Sequence, residues 1–227
     1  MNHRFLKKLQ DFAIENIDEE GHGFDHFMAV FNHVQKALEW NVDLCQEKKK
    51  LIQYAALLHD VDDAKFFPLN KNYENAREFL IDESLTNEQI EQVILMISLV
   101  SCSSNGNEKP SHIKDWMLYP RHADRLEAVG EIGIQRAISF GTFLGRSMHD
   151  EHTERVFNLE QLESAAPKSR FDDYVYKKKS AKTTIGHFYD KILHIADVKT
   201  GNPYFDRQFR LRYDVIVEFI LNYWKEH

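Results

Sequence analysis

The chain is poor in the residues that mark several common architectures. Only 9 glycines and 5 prolines occur in 227 residues, too few for a turn-rich β-sandwich, while 43% hydrophobic and 12% aromatic residues leave too much apolar surface for a disordered chain. Cys45 and Cys102 are the two cysteines. They could make one bridge at most, which is no disulfide framework and fits a reducing compartment. No window approaches the roughly 18 consecutive apolar residues of a membrane span, and the amphipathic start MNHRFLKKLQDFAIEN lacks the apolar region of a signal peptide. These absences predict a cytoplasmic protein without a membrane partner. A positive field is missing as well, since the formal charge is −7. Nucleic acid is therefore not an expected partner, and any phosphate group must be held by a local site. The runs of three lysines at 48–50 and 177–179 are expected to be solvated faces.

What the sequence does have is helical periodicity. RFLKKLQDFAIENI spaces Phe5, Leu9 and Phe12 along one face, and DHFMAVFNHVQKALEW does the same with Phe27, Val30, Phe31, Val34 and Leu38. EKKKLIQYAALLHD, YENAREFLI and TNEQIEQVILMISLV continue the pattern, the last with Thr86 or Asn87 as its N-cap. RHADRLEAVGEIGIQRAISFGTFLG is predicted to be one long helical segment with interrupting glycines. From about 146 to 179 no period is sustained, which predicts a long irregular excursion of the length a lid would have. Helices resume with AKTTIGHFYDKILHIADVKT and, beyond the breaker GNP, with FDRQFRLRYDVIVEFILNYWKEH. No alternating strand pattern is convincing. The expected architecture is a single all-α domain over 1–227, with a core over about 22–145, the excursion over about 146–179 and C-terminal helices over about 180–227. The stripe Phe209, Tyr213, Phe219 and Tyr223 is ordinary packing or a contact for a homodimer.

One stretch is costly unless something compensates it. In YAALLHDVDDAKFF an apolar run ends at His59, and Asp60, Asp62 and Asp63 follow within four residues. Such a cluster must be solvated, salt-bridged or neutralised by a cation. His59 and Asp60 project from a helix end at neighbouring angles and form a chelating corner. His26 lies on another helix, with His22 one turn before it and His33 two turns after, so a buried cation could bridge two helices. Two aspartates compete as a further ligand, Asp124 and Asp197, and periodicity does not separate them. Imidazole nitrogen mixed with carboxylate oxygen suits a divalent transition ion better than calcium. Taken alone, each histidine has the ordinary reading of a hydrogen-bonded core or surface residue, and for His33 that reading stands. Asp62 is expected to be solvated.

Four segments in order resemble the HD-domain metal-dependent phosphohydrolases. GHGFDHFMAV resembles the family's first histidine segment, LLHDVDDAKFF its His-Asp doublet, HADRLEAVGEIGIQR its final-ligand segment and GHFYDKILHI a downstream signature of its bacterial and fungal nucleotide-phosphohydrolase-like subgroup. The resemblance implies an HD-domain fold and His26, His59, Asp60 and Asp124 as ligands of one divalent metal ion (Mn, Mg, Fe, Co, Ni or Zn), which decides against Asp197. It implies a hydrolase in which metal-activated water attacks phosphorus. Asp63 would orient or deprotonate that water, Lys65 would meet the charge that builds on phosphate oxygens, and His22, Arg125 and Lys191 would bind substrate. The substrate implied is a small-molecule phosphate ester, by preference a nucleotide, with release of pyrophosphate from a nucleoside triphosphate. The alternatives are a phosphodiesterase or phosphomonoesterase with the same site, or a non-catalytic metal- and nucleotide-binding sensor. Two positions depart from the family: His122 stands where an acidic residue is usual and Ala29 where many members have arginine.

Overall fold

The structure is a computed structural model that describes residues 1–17 and 23–227. In chain order the helices are α1 (His3–Asn16), α2 (Phe24–Leu38), α3 (Gln46–Leu57), α4 (Glu74–Asp82), α5 (Asn87–Ser98) and a single turn, α6 (Cys102–Asn105). A 3₁₀ turn (Asp115–Leu118) leads into α7 (Tyr119–Glu127), followed by α8 (Gly130–Phe143), α9 (Leu159–Ala165) and α10 (Lys168–Tyr176). Then come α11 (Thr184–His187), a π-helical turn (Phe188–Ile192), α12 (Leu193–Ala196) and the long α13 (Pro203–Glu226). No strand occurs among the described residues, so the fold is all-α. None of these helices is long and apolar enough to cross a membrane.

The described chain forms two compact units. Residues Met1–Val100 and Pro110–Asp124 make the first, and Ser101–Lys109 with Arg125–His227 make the second.

In the first unit α3 packs between α2 and α5, with α1 against α2 and α4 against α5. The periodic residues explain this. Phe5, Leu9 and Ala13 form the buried stripe of α1, and Phe27, Val30, Phe31, Val34 and Leu38 that of α2. Phe5 meets the ring edges of Tyr54 and Phe79 at centroid distances of 5.3 and 5.7 Å. Caps fix where the helices begin. The Asn2 side chain accepts from Phe5 N–H at 2.7 Å, and Thr86, not Asn87, caps α5 in a reciprocal box with Gln89.

The second unit is built on α8 packed against α13, with the π turn held among α10, α11 and α12. The segment predicted as one helix over 121–145 is broken at Ala128 and Val129, because Gly130 takes φ +74 and Val129 is extended. Gly133 makes the sharp junction possible: a Cβ there would lie 2.3 Å from the Ala128 carbonyl oxygen. Gly133→Ala is therefore expected to destabilise the protein by about 3 kcal/mol, as overpacking against rigid backbone does, read as a lowered midpoint in thermal denaturation. The stretch 146–179 is also more regular than its sequence suggests. Residues 146–158 are non-helical, but α9 and α10 follow, anchored by buried Leu162, Ala165, Phe171 and Val175. Each helix is too short, and its outer face too charged, for a period to be visible. Along α13, Phe209 is buried in the core and Phe219 meets the Phe188 ring at 5.4 Å, the packing role for those two members of the aromatic stripe.

Candidate metal centre

Four side chains of the first unit converge. His26 sits in the first turn of α2, one turn ahead of Val30, so the stripe that buries the helix also buries the imidazole. The chain leaves α3 at Leu57 and closes a tight turn through Val61 N–H to Leu58 O, 3.4 Å, and Asp63 N–H to Asp60 O, 3.1 Å. Leu57, Leu58 and Val61 are fully buried and pin that turn, which carries His59 and Asp60. His59 Nδ1 donates to the Ala56 carbonyl at 2.8 Å, so its Nε2 faces inward. Phe27 lies edge-on to the His59 ring at 5.9 Å. Asp124 arrives on α7.

The two Nε2 atoms of His26 and His59 are 3.1 Å apart. Asp60 Oδ2 lies 3.4 Å from His59 Nε2 and 3.7 Å from His26 Nε2, while Asp124 Oδ1 lies 3.3 Å from His26 Nε2 and 3.7 Å from His59 Nε2. Two atoms each about 2.1 Å from one ion, at angles of 90 to 109°, are roughly 3.0 to 3.4 Å apart. The His26–His59, His59–Asp60 and His26–Asp124 separations fall in that range, and His26, His59 and Asp60 form a group that could hold a divalent metal. The Oδ1 of Asp124 reaches the same two nitrogens, whereas Asp197 is exposed in the second unit.

The electrostatics match a cation site. Burial by itself would lower the pKa of His59, but the charge and hydrogen bond of Asp60, then Asp124, outweigh it and push the imidazole up to about 9. Asp124 keeps 29% of its side-chain surface yet is crowded enough that desolvation disfavours its charge. The hydrogen bond from His26 and the positive imidazoles overcome that, and the repulsion of Asp60, to hold it below the usual carboxylate range.

Neighbouring aspartates divide their work differently from expectation. Asp62 is not a solvated side chain: its Oδ1 accepts from Asn70 Nδ2 at 2.8 Å and Asn75 N–H at 2.9 Å, and its Oδ2 from Ala76 N–H at 2.8 Å. It thus caps the start of α4 from outside that helix, while Asn75 Nδ2 donates to Val61 O at 2.8 Å. Sequence reasoning misses this because the partners lie up to 14 residues downstream, and no local motif signals them. Asp62→Ala is expected to cost about 2 kcal/mol, seen in chemical denaturation as a lower midpoint, since buried α4 amides lose their acceptor. Asp63 Oδ1 accepts from Lys65 N–H at 2.8 Å, and the exposed Lys65 has its ammonium 5.6 Å from the Phe66 ring centre.

His22 falls outside the described residues. His33 is half-buried and its ligand atoms are not part of the metal-competent group. Arg125 and Lys191 belong to the second unit. Arg125 is buried, and its guanidinium donates to Asn107 Oδ1 at 2.7 Å and to the Gly106 carbonyl, while Asn107 Nδ2 donates on to His194 O at 2.9 Å. Lys191 is half-buried, 5.6 Å from the centre of the Tyr174 ring.

The arrangement can be compared with known proteins. A Lactobacillus plantarum structure superposes with a TM-score of 0.70 over 100% of this chain and 98% of its own, at 21% identity. An HD-superfamily hydrolase from Bacillus thuringiensis gives 0.64 over 99% and 96%, at 20% identity. Uncharacterized protein L803 of Acanthamoeba polyphaga mimivirus is 36% identical over 238 residues, 96% of each chain. The chain belongs to the L803 family and has the HD-domain fold. Bacillus subtilis YpgQ, whose structure was determined in complex with ADP, also shares the HD-domain fold, with a TM-score of 0.65 over 99% of this chain and 93% of its own at 19% identity. No protein-family model matches the chain. Within this HD-domain chain, the sequence-level resemblance and the fold agree.

Proposed function

We propose that the protein is a metal-dependent phosphohydrolase acting on a nucleotide, with release of pyrophosphate from a nucleoside triphosphate as the preferred reaction. The observation that carries this reading is the group His26, His59 and Asp60, which could hold a metal ion, with Asp124 Oδ1 3.3 Å from His26 Nε2. The hydrolase label of the Bacillus thuringiensis protein and the ADP complex of YpgQ support it by analogy of fold.

In this reading the two imidazoles and two carboxylates hold one divalent ion, which when bound supplies Lewis acidity and lowers the pKa of water near it. The chain's own groups do the rest. The Ala56 carbonyl keeps His59 in the tautomer that turns Nε2 inward. Asp63, with Oδ1 taken by Lys65 N–H, uses Oδ2 to accept a proton from the attacking water. The ammonium group of Lys65 is assigned to phosphate oxygens, where charge accumulates during transfer. Arg125, committed to Gly106 and Asn107, is assigned to holding that turn.

The test is a screen of nucleoside mono-, di- and triphosphates and simple phosphoesters against chelator-stripped protein resupplied with Mn²⁺, Mg²⁺, Co²⁺, Ni²⁺, Fe²⁺ or Zn²⁺, products being resolved by chromatography. Multiple turnover that needs an added metal is the expected result. Hydrolysis that survives chelation, or tight nucleotide binding without turnover under any metal, overturns the reading, the latter in favour of a sensor.

A further inference from the structure

A second cluster, in the other compact unit, has positive charge without a counterpart. His187 closes α11 and Lys191 follows four residues later in the π turn, where the widened helix carries both side chains to the Tyr174 ring of α10. The Tyr174 and His187 ring centres are 6.0 Å apart, and Lys191 Nζ is 5.6 Å from the Tyr174 centre. The chain around Arg146 runs alongside the start of α11, tied by Thr184 N–H to Ser147 O at 3.0 Å and Ile185 N–H to Met148 O at 2.9 Å. Arg146 and Lys191 both act electrostatically on the His187 imidazole.

Two other half-buried cations of this unit are paired with carboxylates of the chain. Arg170 pairs with Asp190 at 2.7 Å and Glu154 at 3.1 Å, and Arg212 lies 3.8 Å from Glu127. Arg146 and Lys191, equally half-buried, have no carboxylate partner among the described residues. Nearby acids are already committed: Asp190 to Arg170 and Ala181 N–H, Asp172 to Lys168, and Asp173 to Lys177 and Lys179. His187 Nδ1 is buried without a hydrogen-bond partner. Burial first, then the charges of Lys191 and Arg146, push this imidazole down to about 3, so it stays neutral. Half-buried charge and an unpartnered ring nitrogen both cost stability, and an anion would offset both.

We infer that Arg146, His187, Lys191 and Tyr174 form a binding site for a phosphate group. Arginine supplies a bidentate fork, lysine a point charge, and the imidazole and phenol can each donate one hydrogen bond. Choosing phosphate over another anion rests on the phosphohydrolase reading; the unmatched charge does not. Lys191 was already a substrate candidate and His187 lies in the same segment GHFYDKILHI, whereas Arg146 lies outside it and is brought alongside by the 147–184 and 148–185 pairing.

The experiment uses the full chain stripped of metal by chelator, so that no ion can recruit the anion elsewhere. Inorganic phosphate, pyrophosphate, ADP and acetate are titrated by calorimetry at low and high salt, with the imidazole resonance of His187, assigned through His187→Gln, followed by NMR. Pyrophosphate and ADP are expected to bind and to shift that resonance, weakening with salt, with acetate binding at least tenfold more weakly. Arg146→Gln and Lys191→Gln, each checked for native circular dichroism, are expected to lose at least tenfold in affinity, while Asp60→Ala binds as the parent does. Absence of binding at millimolar anion, unchanged affinity in both glutamine variants, or loss of binding in Asp60→Ala overturns the site. Failure of the phosphohydrolase reading is distinguishable, since it would leave this binding intact and abolish only metal-dependent turnover.

Discussion

Asp60→Ala is expected to weaken divalent-metal binding by more than about 100-fold and to reduce metal-dependent turnover at least as far. Loss of residues that merely orient a ligand costs 10- to 100-fold in affinity or activity, and Asp60 is itself a proposed ligand, 3.4 Å from His59 Nε2. The same carboxylate is the strongest influence raising the His59 pKa against burial. Its removal therefore has a second signature: the imidazole falls back toward its ordinary range as metal affinity is lost. Calorimetric titration with Mn²⁺, together with a chromatographic assay of product, measures the first effect, and NMR titration of the imidazole the second. Parental metal affinity in a natively folded Asp60→Ala protein would remove the foundation of the proposed function.

The second large effect is on pH. Metal binding needs the Nε2 lone pair of His59, but the ligand-free imidazole keeps its proton until about pH 9. Each ion bound below that pH displaces a proton, so the apparent dissociation constant should fall about tenfold per pH unit, roughly 100-fold from pH 6 to pH 8. An ordinary histidine, with a pKa near 6.5, would give a curve that flattens by about pH 7. Affinity that stops rising there is the contrary outcome. Stability has the opposite sign in the ligand-free chain. Because the folded pKa of His59 is raised, its ion pairs contribute fully below the unfolded value of about 6.5 and are lost as pH rises through about 9. Saturating metal should reverse that slope by mass action, which differential scanning calorimetry over pH 6 to 9 would detect.

How much of this was legible in the sequence depends on the range of the interactions. The stripes of α1, α2 and α5 were visible because the residues that bury them recur every three or four positions, and the Thr86 cap was visible because its partner is three residues away. The His59–Asp60 pair stood out because acidic residues crowd after an apolar run. What was hidden depends on distant chain: Asp62 on amides of residues 75 and 76, Arg125 on a turn 18 and 19 residues earlier. The break after Glu127 was half visible, since glycines marked it, but the extended Val129 and the positive φ of Gly130 that end the helix were not. The short α9 and α10 had too few residues to declare a period.

The way the chain divides between its units affects how the site is assembled during synthesis. Residues 1–100 supply His26, His59 and Asp60, yet the same unit also requires Pro110–Asp124, reached only after the detour through Ser101–Lys109. A nascent chain that has just passed Val100 therefore presents three of the four proposed donors, and the set stays incomplete until Asp124 leaves the ribosome.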